Sequence, residues 1–374
     1  MHVSAICAGK LWSGRIIVMR FAAAGYALAC RSRLCDKRIC LENSFMATNL
    51  KFGLLLPHFC KHASVKNCVE GAKRAEAYGF DSVWVRDHLV FEPHGIEGSD
   101  NTHIEGLLVL SAIAAVTKNI SLGTSMAICH RHPIHLAQLF AGLSVISQGR
   151  VIMGMGLGGF PHEFAAAGYP TGLEERAELV RSNLQICRQL WAGERVSFKN
   201  NYFDFTDVAL KPKPVKPIPI WYGGGTPAAC RRAVEYCDGW MPARITLATF
   251  TKLIDYTRGL CQKTGKPMIR TAVMPFTSVS KDRDAALSEV NTESLIAEAN
   301  KFSTWVKPPS RMFPNLDDIR GFILAGTPAD IACDTRAYEE AGADHIVYDL
   351  RFRYADWLEQ IDLLGREVLP ALRG

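Results

Sequence analysis

Between Leu50 and Leu372 the chain repeats one pattern eight times: a short apolar run, then a longer segment of helical period. No other feature of the sequence limits its possible folds as strongly. Apolar runs suit strands covered on both faces, and parallel neighbours of that kind need helical crossovers. The runs are Leu50–Pro57, Asp81–Leu89, Ile120–Ile128, Arg150–Leu157, Ile218–Tyr222, Gly239–Pro242, Ile269–Val279 and His345–Leu350. Helical segments are expected at 63–78, 105–117, 133–147, 173–191, 227–237, 247–264, 283–302, 328–341 and 354–372. Gly79 and Gly149 just past helix ends, and Pro133 in a first turn, are the punctuation such segments use. Two stretches break the rhythm. In Gly193–Pro217, Asn200-Asn201 between aromatic segments predicts a hairpin; Trp305–Phe322 holds three prolines. Eight alternating units predict an α/β protein, a closed (β/α)8 barrel with insertions after the fourth helix and before the eighth strand. An open doubly wound sheet is the alternative.

The 374 residues, 48% hydrophobic and 21% charged, suffice for one large domain with a sizeable core. Residues 1–46 read as an N-terminal extension and 47–374 as the barrel. The net charge of +6 is concentrated in the extension, where seven basic residues face two acids, which leaves +1 for the rest. The barrel portion therefore offers no nucleic-acid surface. Ile16–Cys30 is moderately apolar, but Arg20 interrupts it and it is too short to cross a bilayer, so no membrane partner is expected. Met46, just ahead of the first strand, is the expected alternative start. Four of the twelve cysteines fall in the extension, and the others are scattered without a C-x-x-C pair. That usage points to a reducing, cytoplasmic setting and argues against a disulfide framework or a zinc ribbon.

In a closed barrel the carboxyl ends of the strands form one face, and function gathers there. His58, Asp87, His88, Ser125, Met126, the Gly156 loop and the Gly223–Thr226 turn all fall at such ends. A histidine, with an intrinsic pKa of about 6.5, suits proton transfer at neutral pH. The alternative for Asp87-His88 is a surface loop with a capping aspartate. W-Y-G-G-G-T-P-A-A at Trp221–Ala229 places Gly223, Gly224, Gly225 and Thr226 between a strand and a helix start, which fits a phosphate cradle or an ordinary tight turn. Gly154–Gly159, with Gly156 and Gly158, lacks the spacing of a dinucleotide fingerprint but allows a flat ring to lie against the backbone. His162 and Glu163 follow it, set to face the same cavity or, for Glu163, to pair with an arginine. His130, Arg131, His132 and His135 contain an H-x-H pair, but just ahead of a helix start, where capping or substrate contact is the better reading; no metal is expected.

Several stretches together are similar to one family: G-F-D-S-V-W-V-R-D-H-L, I-S-L-G-T-S-M-A-I-C-H-R-H-P-I-H-L-A-Q, G-R-V-I-M-G-M-G-L-G-G-F-P-H-E-F, P-I-P-I-W-Y-G-G-G-T-P-A-A, D-G-W-M-P, and G-T-P-A-D-I with E-A-G-A-D-H-I-V. They resemble the bacterial luciferase-like monooxygenases, in the branch that includes oxidoreductases using the deazaflavin coenzyme F420. The similarity runs from about Leu50 to Arg373. It implies a (β/α)8 barrel that binds coenzyme F420 or FMN with its phosphate at Gly223–Thr226. Asp87 and His88 would flank the ring, and Thr124, Ser125 and Met126 would form a bulge behind it, often through a non-prolyl cis peptide. His88, Asp87 and Glu163 are the catalytic candidates; Gly156 and Gly158 join the cofactor-binding set. Sugar-phosphate dehydrogenases of the family carry an acid where this chain has Gly159, and that departure weighs against sugar phosphate oxidation.

The expected function is a flavin- or deazaflavin-dependent oxidoreductase acting on a small, largely apolar organic molecule, by hydride transfer or flavin-mediated oxygenation. FMN would require a flavin reductase partner, and a homodimer is expected. The alternatives are a metal-dependent barrel hydrolase using His130, His132 and Asp87, and a non-catalytic flavin-binding relative.

Overall fold

The computed structural model describes residues 48–170 and 172–374. The expected extension, 1–46, lies outside them. Eight strands form the barrel: β1 (Lys51–Leu55), β2 (Ser82–Val85), β3 (Ser121–Thr124), β4 (Val151–Gly156), β5 (Ile220–Gly223), β6 (Gly239–Met241), β7 (Arg270–Val273) and β8 (His345–Tyr348). They pair in parallel in chain order, and β8 returns to β1 through Lys51↔His345 and Phe52↔Ile346. That last pairing closes the sheet and removes the doubly wound alternative.

Outside the barrel lie α1 (Val65–Tyr78), α2 (Gly106–Ala114), α3 (Pro133–Ile146), α4 (Leu173–Ala192), α5 (Pro227–Tyr236), α6 (Leu247–Thr264) and α7 (Pro328–Glu340), with a final helical stretch at 357–373. Side chains of Ser64, Thr226, Thr246 and Thr327 accept the first-turn amides of α1, α5, α6 and α7. Such caps satisfy donors that a helix cannot pair internally.

Two indoles fill the barrel interior, and glycines on neighbouring strands make the room. Trp84 on β2 is in register with Gly123 on β3, and Trp221 on β5 with Gly239 on β6. A Cβ at Gly123 would lie 2.3 Å from Trp84 Cε3, and one at Gly239 2.5 Å from Trp221 Cδ1. The two indoles meet at 5.3 Å, and the His345 ring packs edge-on against both. Trp84 Nε1 donates to Ser82 Oγ, whose hydroxyl is then left to donate to His345 Nε2, each at 2.7 Å. Burial drops the His345 pKa to about 4, so this histidine is a neutral core group.

Three expected elements differ. The third run is split: β3 ends at Thr124, and Ala127–Ile128 pairs separately with Met155 and Gly156. The seventh run is two strands, because Pro275 interrupts it; Phe276–Val279 leaves the barrel to pair in parallel with Ile323–Gly326. The helix expected over 283–302 is two, Arg283–Ser288 and Thr292–Lys301, with Asp282 and Asn291 side chains capping each start. The hairpin is present: Val196–Lys199 pairs antiparallel with Asp204–Val208, and Asn200 Oδ1 accepts the amides of Tyr202 and Phe203.

Glycine should thus be required inside the barrel and dispensable on its helices. Gly123→Ala is expected to lower stability by about 2–3 kcal/mol through overpacking against Trp84. Gly142→Ala, in α3 with open space beyond its Cα, should raise it by about 0.5–1 kcal/mol. Denaturant midpoints measure both.

Candidate active site

The bulge between Thr124 and Ala127 shapes the mouth of the barrel. Thr124 Oγ1 donates to the Gly154 carbonyl and accepts the Gly154 amide, both at 3.0 Å, and the Ser125 amide donates to Val85 O at 2.7 Å. The Ser125–Met126 peptide is cis, within the segment where the family resemblance set it. Met126 then lies across β4 and β5. A Cβ at Gly223 would meet Met126 Cγ at 2.5 Å, and one at Gly156 would meet Met126 Cβ at 3.2 Å. These two glycines therefore make room for the Met126 side chain. Gly158 adopts φ +73, and its carbonyl accepts from Arg176 at 2.8 Å. Gly224 adopts φ +125, Gly225 is half-buried, and Thr226 caps α5.

At the end of β2, Asp87 and His88 are both buried and both fully engaged. Asp87 Oδ2 accepts the Ile128 amide at 2.8 Å and Arg131 Nε at 3.1 Å, and Arg131 also reaches Glu105 at 2.9 Å. Burial would raise the Asp87 carboxyl, but the Arg131 guanidinium and the Ile128 amide outweigh it and hold it below the usual carboxylate range. Asp87 thus anchors the segment that follows the bulge. His88 Nε2 lies 2.9 Å from Arg86 Nη2 and Nδ1 3.0 Å from Glu163 Oε1. A guanidinium only donates, so Nε2 accepts and the ring proton sits on Nδ1, pointing at Glu163. Burial, with Arg86 nearby, keeps the His88 pKa below its ordinary value even though Glu163 pulls the other way. Glu163 Oε1 also accepts the Leu89 and Val90 amides, while Oε2 is buried without a hydrogen-bond partner.

From His88 a line of charges crosses the mouth. Arg86 Nη1 donates to Glu97 Oε1 at 2.6 Å, and Arg351 Nη1 donates to the same oxygen. Arg351 Nε donates to Asp349 at 3.0 Å, and Arg244 Nε to Asp349 at 2.8 Å. The Glu97 side chain is 1% exposed, and burial would raise its carboxyl, yet the hydrogen bond from His94 and the charges of Arg86 and Arg351 hold it far below the usual range. This network borders a cavity of about 290 Å³ lined also by Gly225, Thr226, Pro242 and aromatic side chains.

His58 sits at the same mouth with both nitrogens committed, Nδ1 to Ile104 O at 2.7 Å and Nε2 to the Arg86 amide at 2.9 Å. Burial lowers its pKa to about 3, and it serves as a neutral stitch between strand ends. The residues of the hydrolase alternative do not converge. Asp87 is occupied by Arg131, His132 accepts the Ile134 amide as the cap of α3, and His135 is exposed. His130 is buried with neither ring nitrogen bonded. Among the described residues no group of three His, Cys, Asp or Glu could hold a metal ion. Arg86, Glu97, Arg244, Asp349 and Arg351 escaped sequence reasoning. A charged residue at a strand's carboxyl end would have flagged Arg86 and Asp349; nothing marks Glu97, in a polar loop.

A closed parallel barrel with its polar groups gathered at the strands' carboxyl ends is an enzyme architecture, and this chain is an oxidoreductase. It belongs to the luciferase-like monooxygenase family, whose sequence profile matches residues 50–345. It is 31% identical over 326 residues to an F420-dependent glucose-6-phosphate dehydrogenase of Amycolatopsis mediterranei, covering 82% of this chain and 95% of that one. Among solved structures, an F420-dependent secondary alcohol dehydrogenase in complex with an F420-acetone adduct superposes with a TM-score of 0.73 at 23% identity, covering 87% of this chain and 100% of that one. The oxygenating constituent of 3,6-diketocamphane monooxygenase from Pseudomonas putida, in complex with FMN, superposes at 0.69 and 20% identity, covering 87% and 98%. At these identities the two structures share the fold. No described helix is long and apolar enough to cross a membrane.

Removing the Glu97 charge leaves Arg86 and Arg351 buried without it. Glu97→Gln is expected to cost about 3–5 kcal/mol at neutral pH. A depressed carboxyl contributes its full stability above its unfolded pKa, about 4.3, and loses it progressively as pH falls. The gap between wild-type and Glu97→Gln unfolding midpoints should therefore narrow steadily below about pH 4.3; a gap independent of pH would show that the charge is not responsible.

Proposed function

We propose that this barrel binds coenzyme F420 and transfers hydride between it and a small organic substrate, as a dehydrogenase or reductase. The observation that carries the reading is a continuous surface at the mouth. It runs from the half-buried Ser125 and Met126, along the Met126 side chain, to the Gly223–Gly225 turn against which that side chain packs. A flat ring with a phosphate-bearing tail suits such a surface, with a bulge at one end and the start of a helix at the other. The 31% identity across 82% of the chain to an F420-dependent dehydrogenase supports the deazaflavin, whereas FMN is bound by a relative that shares only the fold.

When bound, coenzyme F420 supplies a two-electron carrier that reacts poorly with oxygen. Thr124, Ser125 and Met126 would support its ring, with Gly156 and Gly158 shaping the backbone behind them. Gly223, Gly224, Gly225 and Thr226 would take its phosphate. His88, held neutral with its proton on Nδ1, would stand beside the ring, and Glu163 and Arg86 fix its orientation from its two sides. For His88 to exchange a proton at Nε2, Arg86 must give up its bond there and keep only Glu97. Asp87 acts through Arg131, holding the segment after the bulge.

Titration of the protein with coenzyme F420 and with FMN, followed by ring absorbance and fluorescence, tests the reading. Binding of coenzyme F420 tighter than FMN is expected. Tighter FMN binding would turn the assignment to oxygenation with a flavin reductase as partner. Failure of both to bind below about 1 mM, or about 4 kcal/mol, removes the reading. His88→Ala should cut turnover by about 10²–10⁴-fold, as for loss of an acid-base group, with cofactor affinity largely kept; full turnover would exclude His88, and tight binding without turnover in the wild type would favour a non-catalytic relative. We also propose a homodimer through α2 and α3, supported by exposed Leu108, Val116, Val145 and Ile146. Sedimentation should give twice the monomer mass, and Leu108→Glu with Ile146→Glu should return it to monomer.

A further inference from the structure

The histidines around the mouth differ in what their ring nitrogens are free to do. His58 has both committed, and so does His88, between Arg86 and Glu163. His103 packs edge-on against both of them with Nε2 buried, and His130 has both nitrogens buried. None of these lines the cavity beside Gly225 and Thr226. His94 does.

His94 follows β2 in a loop, and Glu97 holds it twice. The His94 amide donates to Glu97 Oε2 at 3.2 Å, and ring Nδ1 lies 3.0 Å from the same oxygen. Arg86 and Arg351 both donate to the other oxygen, so the carboxyl is ionised. An ionised carboxylate only accepts; the ring proton is therefore on Nδ1, and Nε2 carries the lone pair. Phe160 packs against the ring with centroids 4.6 Å apart. Nε2 bonds to no described residue, and the side chain is 45% exposed. A ring with its tautomer set by a buried carboxylate and its other nitrogen open has the arrangement that a general base requires. The other bases on the cavity wall are carboxylates held by cations, Glu97 by its arginines and Glu298 by Lys301 at 2.7 Å.

We propose that His94 is an acid–base residue that meets the substrate in this cavity, with Glu97 fixing its tautomer. A hydride carries one proton and two electrons. A second proton must leave the substrate on oxidation or join it on reduction. His94 Nε2 takes or supplies that proton, Nδ1–H stays against Glu97, and the exposed ring exchanges the proton with water. No hydrogen bond has to break, whereas His88 must first lose Arg86 from Nε2. The inference rests on the hydride-transfer reading above and adds a second histidine to it.

Diethyl pyrocarbonate acylates an unprotonated ring nitrogen, so mass-spectrometric mapping of the treated protein reads Nε2 without turnover. His94 should be modified in the free protein. Coenzyme F420 at about ten times its dissociation constant should slow that modification about tenfold, with exposed His135 unaffected. His94→Gln keeps a donor for Glu97 and loses the base. With propan-2-ol and glucose 6-phosphate as probes, its turnover should fall at least about 100-fold with cofactor affinity kept, and added imidazole should restore part of the activity of His94→Ala. His94 left unmodified, His94 modified equally fast with cofactor bound, or full turnover in His94→Gln would overturn the proposal; the mapping decides alone if the wild type turns over neither probe. Cofactor fluorescence keeps the two readings apart. Protein that binds coenzyme F420 without shielding His94 loses this inference alone, and protein that binds no cofactor loses the proposed function as well.

Discussion

Glu97 accepts Arg86 from one side and Arg351 from the other while almost wholly removed from water. Arg86 follows β2 and Arg351 follows β8, the two strands that flank β1. An unpaired charge at this depth is untenable, so the pairing fixes both strand ends relative to each other. Its effect continues inward. The guanidinium that Glu97 holds is the one that donates to His88 Nε2, and that donation sets which ring nitrogen carries the proton. The stability of the mouth and the chemical state of its histidine therefore depend on the same carboxylate, supplied by a loop.

Volume is handled in one way at both levels of the barrel. In the interior, Trp84 and Trp221 each face a glycine in register on the next strand. At the mouth, Met126 lies over Gly156 and Gly223. In each case a large side chain occupies space that any Cβ on the neighbouring strand would claim, and close packing makes that exclusion costly. Glycines that read in sequence as partners for a cofactor are thus also the seats of a methionine. The bulge that presents Ser125 and Met126 is held from behind by these contacts and by Thr124 on Gly154.

Most of the fold was legible because helix and strand periods are local. The eightfold alternation placed every barrel strand, and the hairpin announced itself through Asn200-Asn201. The departures were also local in origin. Pro275 split the seventh run by lacking an amide donor, and Asn291 started a second helix by offering its side chain to Ser294. The strand at Ile323–Gly326 leaves no local signal, because its partner, Phe276–Val279, reads in sequence as a continuation of the seventh barrel strand.

By itself the sequence determined the alternating α/β architecture, the family, and the location of Asp87, His88 and the Gly223–Thr226 turn at strand ends; closure was settled by the pairing of β8 with β1. Only the tertiary structure decided what those groups touch. Glu163 lies 75 positions from His88 in the chain, and Arg351 lies 254 from Glu97. Periodicity over a few residues carries no record of such meetings. They arise when closure of the barrel brings separate loops to one face, and buried charges there must find partners or lose the fold.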